Sequence, residues 1–435
     1  MSFPSADVYK TLIAAHPTWE ALSAYLKSDA GGALRIEDHS LPTSPFAVIR
    51  YVKGASDLSK PHVRAFRSVV WDTLAHRPVS VTSWKSADGE STPDTASTAD
   101  FSIQHFVDGV LIGMFWDSYN SRWRIHTRTT LDAKCRFYSQ TRTFAELFEE
   151  ATRSYDLSFL DKTRSYSWVL QHPENRIVCT VLLPRASITD VAAVDPDCTV
   201  NWGDSPLYGP VKLGGIADWA TVRERVAEMN RRFAHNSAGL VIKAADGRRW
   251  KLRTPEYNRV HAIRGNSARR DFLWLAAWSA NTLRDYLALY PEERTLANAV
   301  VNRWKLATTE VYNIYCAVFK ARNMPKTAIP QKYKPLIYGL HTLYMNTLKP
   351  AGKTVDWKAC LEFMNDKDTA LKLFVINWEL RNAARALSVP VIPLEPVPVI
   401  GSSTIAGEDA PSAAAVLTDG AVAAEDAAAV LAVSE

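Results

Sequence analysis

Lysine and arginine are the residue types that could act on a phosphate, and two of the chain's four Asp-Gly pairs, Asp88-Gly89 and Asp108-Gly109, sit where a reacting group could be placed beside a turn. An unprotonated lysine amine attacks phosphorus and carries the transferred group covalently, whereas a charged amine or guanidinium holds phosphate oxygens without reacting. Lys85-Ser86-Ala87-Asp88-Gly89 sets an amine just before an Asp-Gly turn, but the loop-like Glu90-Ser91-Thr92-Pro93-Asp94 that follows supplies no strand to fix it. The second Asp-Gly is preceded by Phe106 and Val107, and a phenylalanine has no lone pair to offer. The basic run Arg248, Arg249, Lys251, Arg253, Arg259, Arg264, Arg269 and Arg270 adds positive potential suited to a polyanion, although each charge taken alone also reads as an ordinary surface residue. Trp84, Phe106, Trp116, Trp123 and Trp168 have faces on which bases could stack, while aromatics in strands more often fill a core. There is no GxxxxGK[ST], HExxH or GxSxG, and the ten histidines lack metal-ligand spacing, so no metal is expected. His105 and His172 keep two readings, contact with a proton or phosphate and plain structural hydrogen bonding.

Positioning these residues falls to a strand-rich region, 1–270, followed by a helical region, 271–390. A helix is expected at Ala6 to Lys27, with strands at Phe46–Lys53, Val69–Trp84, Ile103–Phe115, Arg122–Thr127, Trp168–Leu170, Arg176–Leu182, Gly239–Lys243 and Arg249–Leu252. Helices are expected at Thr143–Ser154 and Trp219–Phe233, and from Asp271 three long amphipathic runs show no strand alternation. The fold class is therefore α+β with antiparallel sheets, then an all-α domain. Residues 391–435 form a Pro-rich, then Ala-rich tail of disordered or linker composition. That tail has seven acids and no Lys or Arg, which leaves the body 51 basic residues against 39 acidic (46 less seven). The five cysteines are odd in number and free of CxxC pairs, which suits buried thiols in a reducing compartment. No apolar run spans a membrane and the start lacks a secretion-signal layout, so an intracellular protein is expected.

Five segments in order carry a resemblance. They are Val63-Arg64-Ala65-Phe66-Arg67-Ser68-Val69-Val70-Trp71-Asp72 with Trp84-Lys85 and Gly89-Glu90; Phe106-Val107-Asp108-Gly109; Thr127-Arg128-Thr129; Trp168-Val169-Leu170-Gln171-His172-Pro173-Glu174-Asn175-Arg176-Ile177-Val178; and Ala238-Gly239-Leu240-Val241-Ile242-Lys243 with Trp250-Lys251-Leu252-Arg253. From about Phe46 to Asn266 the chain resembles the adenylyltransferase domain of the phage-type RNA ligase 1 family, whose covalent nucleotidyltransferase (ATP-grasp-like ligase) fold is implied for residues 1–270. PENRIV at 173–178 is the most specific match.

The same resemblance implies what is missing. In the family a lysine starting Lys-x-Asp-Gly takes the nucleotide, a glutamate contacts the ribose, and a second glutamate helps to hold the divalent metal. These positions are Phe106, Val169 and Ala238 here, all apolar, which removes the nucleophile and two acids. Arg67, Lys85, Asp108, Gly109, Arg128, Gly239, Lys243, Lys251 and Arg253 are then the remnants of a nucleotide and phosphate cleft. The favoured reading is a pseudoenzyme retained to bind RNA or a protein partner, with no catalytic residue and no cofactor. Two alternatives stay open. One is an active ligase using ATP and magnesium through a displaced lysine; the other is a structural subunit of a virion or ribonucleoprotein particle.

Overall fold

The computed structural model describes residues 3–88, 98, 100–139, 141–214, 216, 218–265 and 267–388, which fall into two compact units, 3–268 and 269–388. Gly89, Glu90 and the loop to Asp94, Asn266, and the tail from residue 391 lie outside the described residues.

The first unit opens with α1 (Val8–Ala15) and α2 (Trp19–Lys27) in place of the one helix expected there. Pro17 explains the break: it lacks an N–H and pushes His16 out of the helical region, to φ −135° and ψ 84°. Thr18 then caps α2 by accepting from the Ala21 N–H at 3.2 Å. The strands β1 (Arg35–Asp38) and β2 (Phe46–Arg50) precede a short helix α3 (Pro61–Ala65), and β3 (Val69–Asp72) and β4 (Arg77–Val81) complete an antiparallel sheet in chain order. The run Val69–Trp84 is thus a hairpin rather than one strand, turned where the Asp72 carboxylate accepts from the N–H groups of Leu74 and Ala75 at 3.0 and 2.8 Å. Every residue of β2 and β3 is buried. Tyr9, Leu12, Leu22 and Leu26 of the helices join a core cluster with Ile49, Val69 and Trp71, while Val48 and Val70 join another with Phe115 and Leu131.

Next come β5 (Ala87–Asp88), β6 (Phe101–His105), β7 (Val110–Asp117), β8 (Arg122–His126), α4 (Phe144–Thr152), β9 (Arg164–Gln171), β10 (Arg185–Val194), β11 (Val200–Gly203), α5 (Trp219–Phe233), β12 (Gly239–Ala244), β13 (Arg249–Arg253) and α6 (Pro255–Arg264). They build a sheet of order β11-β10-β9-β7-β8 and another of order β5-β13-β12-β6. Only β5 runs parallel to its neighbour, β13, among the described pairings. Helix α5 lays Trp219, Val222, Val226 and Met229 on Leu240, Ile242 and Trp250 of the latter sheet.

Two departures from the sequence pattern matter for the site. The apolar run Ile103–Phe115 is divided between sheets: β6 pairs with β12 and β7 with β9, and residues 106–109 cross from one to the other. Arg176–Leu182, expected as a strand, is not one. Its backbone groups are taken by side chains instead, the Val178 and Cys179 N–H groups by the Asp108 carboxylate and the Val178 carbonyl by the Arg176 guanidinium. The strands β1, β10 and β11 were not anticipated, and β10 carries a bulge between Ile188 and Asp190.

Among its described residues the second unit has no strand, and its α-helices are α7 (Arg270–Ser279), α8 (Leu283–Leu289), α9 (Arg294–Tyr315), α10 (Lys334–Leu343), α11 (Trp357–Asn365), α12 (Thr369–Ile376) and α13 (Trp378–Ser388). The buried Glu293 carboxylate accepts from Arg270, Trp274 Nε1 and Tyr286 Oη at 2.5, 2.7 and 2.8 Å, which ties α7 and α8 to the start of α9. The mixed α/β part with antiparallel sheets followed by a helical part agrees with the expected class. Among the described residues no helix is long and apolar enough to cross a membrane.

Candidate active-site cleft

The crossing Phe106–Gly109 is held at both ends by close backbone approaches. The Phe106 N–H donates to the Gly239 carbonyl at 2.9 Å. Gly239 has φ +113°, and a Cβ there would lie 2.0 Å from the Leu252 carbonyl oxygen, so the position takes only glycine. A Cβ on Gly109 would lie 2.3 Å from the Leu170 carbonyl oxygen. Between them Asp108, 4% exposed, accepts three hydrogen bonds: from Val178 N at 3.0 Å, Cys179 N at 2.9 Å and Tyr257 Oη at 2.6 Å. Burial and the Asp108 charge together push the Tyr257 hydroxyl well above its ordinary pKa. Asp108 therefore joins β7, the PENRIV loop and α6.

Phe106 presents its ring to cations. Lys251 Nζ stands 5.0 Å from the ring centroid and the Arg253 guanidinium carbon 5.6 Å, within cation–π range. Lys251 is 5% exposed, and among the described residues its Nζ has no hydrogen-bond partner. Burial first, then repulsion from Arg67, Arg253, Arg249 and Lys85, drives its pKa well below the ordinary lysine value. Arg67 donates to Ser83 Oγ at 3.2 Å, and burial brings its guanidinium down to about 10.

Phe106, Val169, Arg67, Arg249 and Lys251 line a cavity of about 20 Å³. That holds one water-sized sphere and is far below the roughly 300 Å³ at which pockets for small molecules begin. Ala238, with Phe106 and Asp108, lines an adjoining cavity of about 340 Å³. A third, of about 410 Å³, lies against Trp202, Asp204, Lys243 and Arg249.

The phosphate-cleft set is thus divided. Arg67, Gly109 and Lys251 line the small cavity, and Asp108 the adjoining one. Arg253 is held at Phe106 and Tyr257. Lys243 lines the third cavity, where it bonds the Thr189 carbonyl and pairs with Asp190 and Asp204, each at 3.1 Å. Burial alone would raise the Asp190 carboxyl, yet Arg249, 2.8 Å away, and Lys243 hold it below its ordinary value. Arg128 lines none of the three cavities. Its guanidinium, 1% exposed, donates to the Arg67 and Tyr51 carbonyls at 3.0 and 3.2 Å and stacks on Tyr51, a core role. Lys85 also lies off these walls, its N–H bonded to the Arg64 carbonyl at 3.1 Å.

Of the other candidates, Trp84 and Trp168 are 1% exposed or less and have no face for a base. His172 acts structurally: Nδ1 accepts from the Glu174 N–H at 3.1 Å at the start of the PENRIV turn. His105 lines both cavities beside Phe106, its pKa lowered by burial and then by Arg225. Sequence reasoning missed Asp190, inside the unrecognised strand β10, and Asp204, just after the unrecognised strand β11, because neither acid gives a motif. Tyr257 could have been found, since Thr254-Pro255 is a helix-start pair that fixes where it points.

No protein-family model matches the chain, and no curated protein matches it by sequence. Thirteen chains of solved structures resemble it. One is an archaeal ATP-dependent RNA ligase in form 1, 11% identical with a TM-score of 0.37 over 86% of this chain and 98% of that one. Form 2 gives 11% and 0.35, over 90% and 92%.

Proposed function

We propose that this chain is a catalytically degenerate RNA-ligase-like protein of the phage-type family, which keeps the nucleotidyltransferase scaffold and binds RNA. One observation carries the reading: Phe106, at the position of the resembled nucleophile, lines a cavity of about 20 Å³ with Lys251, whose Nζ is 5.0 Å from its ring, and lies 5.6 Å from the Arg253 guanidinium carbon. A phenyl ring cannot form a phosphoramidate, and the two companion acid positions are Val169 and Ala238. Two carboxylates fewer is a poor setting for the magnesium that offsets triphosphate charge, so neither ATP nor metal is a cofactor in this reading. The basic body of the chain suits a phosphate backbone.

The test has two arms. Full-length protein is incubated with labelled ATP, then GTP, with magnesium or manganese, and analysed by intact mass after denaturation; no adduct is expected. Fluorescence anisotropy with a labelled single-stranded RNA should show binding that weakens steeply and log-linearly with salt. A covalent adduct overturns the first half, and absence of binding at low salt overturns the second. The active-ligase alternative is favoured by one observation, the buried and unpartnered Lys251 amine, and an adduct mapped to Lys251 would establish it.

A further inference from the structure

We propose that the small cavity beside Phe106 is a halide site, holding one chloride ion between the Lys251 ammonium and the Arg249 guanidinium. Three observations converge on it. The first is size: about 20 Å³ fits one sphere near the dimensions of water. The second is unmet donors, since Lys251 Nζ and Arg249 Nε are both buried without a hydrogen-bond partner. The third is charge. The cavity wall has Arg67, Arg249 and Lys251 and no carboxylate, and Asp190 behind it is already paired with Arg249 and Lys243. Leu111, Val169, Val241 and Phe106 share the rest of the wall with Ser83, Gln104, His105 and Thr189, and a buried lysine ammonium with no counter-charge beside it is costly. Water would satisfy the donors but leave the charge. The inference does not depend on whether the chain descends from a nucleotide-handling enzyme.

Proton uptake is coupled to the ion. Burial, and then the positive field of Arg67, Arg253, Arg249 and Lys85, disfavours the Lys251 proton, whereas a bound chloride favours it, so affinity rises as pH falls. The charged and titratable groups facing Lys251 are Arg67 before β3, Lys85, His105 at the end of β6, and Arg249 and Arg253 on β13, while Asp190 on β10 is paired with Arg249 and Lys243.

The test uses the full chain. Thermal unfolding is compared in sodium chloride and sodium gluconate at equal ionic strength, and crystals soaked in bromide are examined for an anomalous peak. Chloride at ten times its dissociation constant should raise the midpoint by roughly 3–6 °C, more at about pH 6 than at about pH 9. Bromide should appear in contact with Lys251 Nζ and Arg249 Nε. Lys251→Met should abolish the chloride-specific rise; should that variant not fold, the bromide position in the unaltered protein decides. Water alone in the cavity, an equal rise in gluconate, or a rise that persists in Lys251→Met overturns the proposal.

Discussion

Replacing Asp108 with alanine removes the acceptor for two backbone N–H groups and one tyrosine hydroxyl, all buried, at 3.0, 2.9 and 2.6 Å. Each donor left unsatisfied costs about 1–3 kcal/mol, so Asp108→Ala should destabilise the protein by about 4–6 kcal/mol. A typical domain has only about 5–15 kcal/mol in total, so the loss should be visible as a fall of roughly 10–20 °C in the unfolding midpoint of the first unit. Asp108→Asn is the control for charge. Its carbonyl can still accept from Val178 and Cys179 while its amide donates to Tyr257 Oη, and the loss should be about 1–2 kcal/mol. Urea unfolding followed by tryptophan fluorescence measures both, and a cycle pairing Asp108→Asn with Tyr257→Phe should give a coupling of at least about 0.5 kcal/mol. An alanine variant within about 1 kcal/mol of the parent would refute the view that Asp108 is the joint between β7, the PENRIV loop and α6.

Phe106→Lys should not restore nucleotide transfer: intact mass after ATP and magnesium stays unchanged, because Val169 and Ala238 remain apolar and the new amine meets Lys251 and Arg253. Gly239→Ala should cost about 3 kcal/mol or more in urea unfolding, since φ +113° and a Cβ 2.0 Å from the Leu252 oxygen leave no relaxed geometry. His126 is fully buried between Ser80 and Ser68, and burial lowers its pKa from 6.5 to about 4. The unfolded chain therefore binds a proton that the folded one refuses, and stability should fall by roughly 3 kcal/mol as pH drops from 6.5 to 4. A pH series of unfolding midpoints should show this slope flattened in His126→Gln.

Much of the architecture was legible because local signals and tertiary demands coincide. Trp219–Phe233 is amphipathic, begins after the capping Asp218, and forms α5 over those residues. The apolar cores of β12 and β13 likewise read directly as strands. Legibility failed where side chains replace the backbone ladder. Arg176–Leu182 has strand composition, yet Asp108, some seventy positions earlier, takes its N–H groups. In the cleft, the apolar residue types at 106, 169 and 238 are plain in the sequence, but the division of the cations could not be read. Arg128 and Lys251 look alike in a string of letters; one bonds two carbonyls and the other bonds none.

Asp108 differs from its neighbour Phe106 in what mutation can do to it. A side chain held by three buried donors is needed for folding whether or not any nucleotide is ever bound, while the Phe106 side chain is held only by ring and cation contacts. In chains that abandon such chemistry, the Asp-Gly pair and the loop it anchors should decay slowly and the residue two places before it quickly. Descendants of catalytic folds are therefore better traced by the acceptors that join sheet to loop than by the atoms that once reacted.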